Sequence, residues 1–307
     1  MGDYSGVIGL NRRTDLALEA KELWEESAGE TTELPGVEAR ESERDGVRST
    51  TVRVLDERGE KALGKPAGTY VTLELRAFNR REHGAFRRSA EALGRELKKL
   101  LALGKDESVL VAGLGNAAVT PDAVGPKVLS RLMVTRHLVE QLPSWFSGYR
   151  PVSAVAPGVL GVTGIESVEL IAGVLGRLKP DRLIVVDALA SRRLDRVGTT
   201  IQLADTGITP GSGVGNAREA FSRESLGLPV CAVGVPTVVD VETLLADLSG
   251  DEVPREELDR VCGGQSLIVT PRDIDARVER VAKLMAYGIN LAVQPGVKFE
   301  DVEFFVE

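Results

Sequence analysis

The chain reads as an α/β protein: a mainly parallel sheet sandwiched by helices, with a β embellishment at its N-terminal end. Three observations predict this. Val109–Ala112, Val152–Ala156, Leu183–Val186 and Val230–Val235 are short, unbroken apolar runs, as expected of strands buried on both faces. The segments between several of them carry apolar residues at helical spacing, and strands alternating with helices build parallel sheets. The 307 residues are 43% hydrophobic and 27% charged, an ordinary globular composition with ample material for a core.

Taken in order, residues 1–20 form a polar leader, and residues 21–47, rich in Glu, Ser, Thr and Gly, read as surface coil or short helix. Thr50–Leu55 and Tyr70–Leu75 alternate at period two and predict two strands able to pair antiparallel. Phe86, Ala90, Leu93, Leu97, Leu100 and Leu101 mark one face of an amphipathic helix. After the strand at Val109–Ala112, Thr120 and Pro121 supply a cap and a first-turn proline, so a helix is expected to start there. Val168, Ile171, Val174, Leu175 and Leu178 define a further helix. Thr270-Pro271-Arg272-Asp273 opens a last one, running through Ile274, Val278, Val281, Leu284 and Met285. With no internal repeat or linker, one domain is expected.

Composition excludes several classes of function. Lys plus Arg is 38, Asp plus Glu is 46, and the net charge is −8. No basic stripe for direct nucleic-acid binding is visible. No stretch is long and apolar enough to cross a membrane, and the N-terminus lacks an apolar signal core. The two cysteines, Cys231 and Cys262, form neither a disulfide framework nor a zinc spacing, so a reducing cytoplasm is the default. His83 sits among charges and His137 in a predicted helix; they are the only histidines. A His-rich metal site cannot be built from two, and neither lies in a nucleophile motif. No metal and no cofactor is expected.

Two aspartates carry the chemical reading. Asp122 follows the strand at Val109–Ala112, and Asp187 directly ends the apolar run Leu183–Val186. The reactive crevice of an open α/β sheet lies outside the carboxyl ends of its strands. Taken alone, Asp122 is also explained as a first-turn acid that complements a helix dipole. Asp187 is harder to explain so: an ionisable group at the end of a buried strand costs desolvation unless it has a partner or a role. Two carboxylates meeting there can divide peptide hydrolysis, one neutral and donating a proton, the other ionised and activating water. Asp205-Thr206-Gly207 matches the triplet of pepsin-like aspartic proteases, but those are all-β and supply two copies. Asp205 is therefore read as a turn residue that lines the site. Gly211-Ser212-Gly213-Val214-Gly215-Asn216 lacks the Lys-Ser/Thr ending of a phosphate loop, and Gly113-Leu114-Gly115-Asn116 is half a dinucleotide fingerprint. Close backbone approach is the expected use of both, with Asn116, Gly211 and Gly213 lining the site.

A collinear set of motifs then resembles the germination protease family of spore-forming bacteria. It comprises Arg13-Thr14-Asp15-Leu16-Ala17-Leu18-Glu19-Ala20, Gly113 to Asn116 continuing through Val119 to Lys127, and Thr135 to Leu138. It continues with Arg150 to Ala154, Pro157 to Val159 with Thr163 to Glu166, and Asp187 to Arg192. Pro210 to Asn216, Gly234 to Asp240 and Val269 to Pro271 complete it.

The resemblance implies an atypical aspartic-type endopeptidase, similar in fold to hydrogenase maturation proteases, that degrades small acid-soluble spore proteins at germination. It places the two catalytic aspartates on Asp122 and Asp187. It also implies a homotetramer acting in the developing forespore and spore core, made as a zymogen that removes its own leader. Family substrates are cut after an acidic residue in a pattern like Thr-Glu-apolar-Ala-Ser-Glu, which Thr14-Asp15-Leu16-Ala17-Leu18-Glu19 imitates. Self-cleavage is thus expected between Asp15 and Leu16, leaving a leader of residues 1–15 and a single protease domain of residues 16–307. One departure is a short stretch, Val241 to Ser266, where the family carries a longer insertion. Two alternatives stand beside this reading. One is a hydrogenase-maturation-type protease that senses a metal in its substrate, and the other a non-enzymatic nucleotide-binding module built on the two glycine loops.

Overall fold

The computed structural model describes residues 12–28, 34–249, 260, 262–263 and 265–306. The expected leader is thus described only from Arg12 onward, and part of the shortened stretch lies outside the described residues. The described strands are β1 (Val37–Arg44), β2 (Val47–Val54), β3 (Gly68–Glu74), β4 (Val109–Gly113), β5 (Val152–Val155), β6 (Arg182–Ser191), β7 (Thr200–Ala204), β8 (Val230–Asp240) and β9 (Ile268–Val269). They form one sheet in the order β1-β2-β3-β7-β8-β6-β4-β5, with β9 paired to β8. β5, β4, β6 and β8 run parallel. β1, β2, β3 and β7 pair antiparallel, and β7 joins β8 antiparallel. The N-terminal strands therefore extend the same sheet through β7.

Several elements differ from the sequence reading. Residues 21–47 hold most of the helix Ala17–Ala28 and all of β1. β1 is an edge strand whose residues are nearly all exposed and mostly charged, so its sequence lacks an apolar period. It is fixed by a two-residue hairpin, Asp45-Gly46, with both residues at positive φ. β7 was not expected because Gln202 interrupts its apolar run. β6 and β8 run past their apolar cores to Ser191 and Asp240. Asp187 consequently lies inside β6 rather than at its end.

Alternation along each strand sends side chains to two different cores. One face packs under the helices Ala85–Leu101, Val124–Leu129 and Ile274–Val293 and holds Val71, Leu73, Val109, Val111, Ile184, Val186, Ile201, Leu203 and Val233 in one continuous cluster. The two long helices touch at glycines: a Cβ on Gly288 would meet the Leu93 side chain at 2.5 Å. The opposite face carries two separate clusters. One is Leu110, Ala112, Leu183 and Val185 under the helix Ser167–Leu178. The other is Val52, Val54, Tyr70, Ala204 and Ala232 under the helices Ala17–Ala28 and Glu57–Leu63. Between them the sheet is met by the short 3₁₀ turn Ser212–Val214, and the candidate site lies there.

Candidate active site

Asp122 is placed by glycines. Leu114 N–H donates to the Val186 carbonyl at 2.8 Å, extending the β4–β6 pairing by one residue. The chain then turns at Gly115, where φ is +105° and a Cβ would sit 1.9 Å from the Asp122 carbonyl oxygen. Only glycine permits that approach. The short turn Thr120–Asp122 is a single 3₁₀ turn, and the α-helix expected there starts at Val124. Asp122 Oδ2 accepts a hydrogen bond from Asn116 N–H at 2.7 Å, and Asn116 Oδ1 accepts from Ala118 N–H at 3.0 Å. Gly113 and Gly125 sit against each other, with a Cβ on Gly113 placed 2.6 Å from the Gly125 carbonyl oxygen. The room left by these glycines is filled by the chain's own backbone, as it is at Gly211, where Asn216 O would lie 2.2 Å from an added Cβ.

Asp187 follows Leu183 and Val185 in the alternation of β6 and so faces the gap between the two smaller clusters. It is one residue beyond Val186, the last β6 residue paired with β4. Only 5% of Asp187 is exposed, and its Oδ1 accepts one hydrogen bond, from Ala188 N–H at 2.9 Å. Burial pushes its carboxyl well above the usual range, and the charges of Asp122 and then Asp15 push it further. The Ala188 N–H opposes this only in part. Burial also raises Asp122, against the pull of Asn116 N–H. The two acids line one cavity of about 460 Å³, together with Asn116, Gly211, Thr237 and Asp15. Mutual repulsion makes their titration a property of the pair.

A second cavity, of about 640 Å³, lies beside the first and is lined by Lys65, Tyr70, Gln202, Asp205 and Ser212. Asp15 and Leu189 belong to both walls. The structure thus brings Asp122, Asp187, Asn116 and Gly211 together. Asp205 stands apart in the second cavity, where its Oδ1 accepts from Thr69 N–H at 2.7 Å and ties β7 to β3. Gly213 is buried against the Asp15 carboxylate rather than facing the first cavity.

The expected cut bond is firmly seated. The Asp15 carbonyl accepts from Gln202 Nε2 at 2.9 Å, Leu16 N–H donates to Thr14 Oγ1 at 3.0 Å, and Ala17 N–H donates to Gln202 Oε1 at 2.7 Å. Leu16 and Ala17 are fully buried. Glu19, also fully buried, accepts from the backbone N–H of Arg192 at 2.6 Å and of Arg193 at 3.2 Å, and from Thr14 Oγ1. Gln202 and Lys65 were missed in the sequence, where Glu19 entered only as part of the leader motif. A lone glutamine within an apolar five-residue strand was the available signal. His83 and His137 are both exposed and line neither cavity.

Comparison with known proteins gives a consistent result. The family model described as Germination protease matches residues 17–250. The germination protease of Caldanaerobacter subterraneus subsp. tengcongensis is 47% identical, over 95% of this chain and 97% of the relative. That of Clostridium tetani is 43% identical over 96% and 99%, and that of Bacillus licheniformis 38% over 93% and 94%. Among solved structures, the NiFe hydrogenase maturation protease HycI from Thermococcus kodakarensis KOD1 matches with a TM-score of 0.36 and 19% identity, covering 63% of this chain and 98% of that one.

Proposed function

The chain belongs to the germination protease family, and from that premise we propose that it is an endopeptidase degrading small acid-soluble spore proteins through Asp122 and Asp187. The observation that carries the mechanism is the shared cavity of two carboxyl groups, both raised by burial. Asp187 is the more deeply buried and faces two other carboxylates, so it is the last to ionise. It holds the proton and delivers it to the leaving amide nitrogen. Asp122, ionised, takes a proton from water as that water attacks the carbonyl. Proton transfer between the pair and solvent restores the starting state.

In this reading the chain is a zymogen that cuts itself between Asp15 and Leu16. Because both groups of that peptide bond are hydrogen-bonded and Leu16 is buried, cleavage requires the segment to leave Gln202 first. Assembly as a homotetramer and action in the forespore and spore core belong to the same proposal. The test is incubation with a small acid-soluble spore protein followed by mass spectrometry of the fragments. Fragments with a common acidic residue before the cut support the reading. An intact substrate after prolonged incubation with the self-processed chain overturns it.

A further inference from the structure

The Asp15 side chain is held by groups suited to a carboxylate. Oδ1 accepts from Ser212 Oγ at 2.6 Å and Oδ2 accepts from Ala190 N–H at 2.8 Å. The backbone docks at the same place, with Asp15 N–H donating to the Ala190 carbonyl at 3.0 Å. This single backbone bond falls on the part of β6 beyond its last pairing with β4. Ala190 lies three residues beyond Asp187 on β6. A cation stands by: Lys65 Nζ donates to the Thr14 carbonyl at 3.1 Å, and burial lowers the Lys65 pKa against the opposing pull of the Asp15 and Glu19 charges. The space is shaped to the carboxylate as well. A Cβ on Gly213 would lie 2.3 Å from Asp15 Oδ2, although the backbone there is not in the left-handed region. Gly213 therefore keeps room for the acid rather than serving a turn.

We propose that the Ser212 hydroxyl, the Ala190 N–H and the Lys65 ammonium form a subsite for an acidic side chain of the substrate, filled by Asp15 in the full-length chain. This rests on the protease reading above. Once the leader is gone, Lys65 loses its bond to the Thr14 carbonyl, and the two donors lose their acceptor. A substrate restores all three contacts, its carboxylate meeting the Ser212 hydroxyl and the Ala190 N–H, and the carbonyl of the residue before it meeting Lys65. An amide of the same shape presents one acceptor oxygen and no charge, so it leaves one donor poorly paired and loses the attraction of the nearby Lys65 charge.

The test uses a peptide copying residues 12–20 and a second peptide identical except that Asn replaces Asp at position 15, both given to the self-processed protein. The expected kcat/KM ratio favours the acid by about 30-fold, mostly through KM. Ser212→Ala and Lys65→Met should each bring the ratio down several-fold, and Lys65→Arg should largely keep it. Gly213→Ala should lower it by filling the seat. Equal cleavage of the two peptides by the unsubstituted protein overturns the subsite without any variant having to fold. An unchanged ratio in folded Ser212→Ala and Lys65→Met proteins overturns it too. If a small acid-soluble spore protein is cut while the two peptides do not differ, the subsite fails and the protease reading survives; if nothing is cut, the protease reading itself fails.

Discussion

The two faces of the sheet use alternate residues of the same strands to opposite ends. Ile184 and Val186 of β6 enter a continuous core, covered by three helices. Leu183, Val185 and Asp187 of that strand look the other way, toward a face whose helices leave a gap. The covered face is tightly interlocked, with Gly94 and Gly288 letting the two long helices approach, and its buried Asn290 and Gln294 are hydrogen-bonded. The gapped face holds the buried polar groups Glu19, Gln202 and Asp187. Complete packing on one side lets the other side hold acids out of water, where their protons are retained at higher pH. The main core and the proposed catalytic acids thus lie on faces a single residue apart in sequence.

That division breaks down if changes to Asp122 or Asp187 fail to alter chemistry or changes on the covered face do. The largest effect is expected from Asp187→Asn and Asp122→Asn, each lowering peptide cleavage by about 10³-fold or more in a kcat/KM assay. Stability should respond in the opposite sense. Asp187 has a raised folded-state pKa, so the native state is at its best below the unfolded carboxylate range. It loses stability as pH rises toward the folded pKa, because only the unfolded chain ionises freely. Asp187→Asn removes that loss. Denaturant titrations should show the variant more stable than the parent at neutral pH, with the gain vanishing at acid pH.

Next in size is Leu93→Ala on the covered face. Leu93 is fully buried against Gly288, and its truncation should cost about 3 kcal/mol in chemical unfolding while kcat stays unchanged. Glu19→Ala should cost about 2 kcal/mol by stranding the N–H groups of Arg192 and Arg193. It should also speed leader removal, since Thr14 loses its anchor. The pH profile sharpens the comparison further. Cleavage should fall at high pH as Asp187 gives up its proton and at low pH as Asp122 gains one, giving a bell set by the pair. The smallest effect is expected from Asp205→Asn, which keeps the acceptor for Thr69 N–H. Its cleavage rate should stay within about threefold of the parent, because the amide oxygen preserves that bond.

The covered face and the parallel strands were legible in sequence because apolar runs and helical periods report burial directly. Asp122 and Asp187 were legible as acids following such runs. The limits of β6 and β8 were not, because Asp187 and Pro236 break the apolar pattern while the pairing continues through them. β1 was hidden by its charged edge, although Asp45-Gly46 was a hairpin signal. Asp205 and Gly213 are drawn toward the site by local motif, yet tertiary contacts with Thr69 and Asp15 place them in its surroundings. Gln202 and Lys65 act through partners 187 and 51 residues away in the chain, a separation no local pattern encodes.

The coupling of the two acids is tested most directly by a carbon-13 NMR titration of the aspartate carboxyls, in the parent and in Asp122→Asn. The account predicts that Asp187 titrates well above the ordinary aspartate range in the parent and moves down when the neighbouring charge is removed. A titration of Asp187 in the ordinary range, or one indifferent to Asp122→Asn, would contradict it.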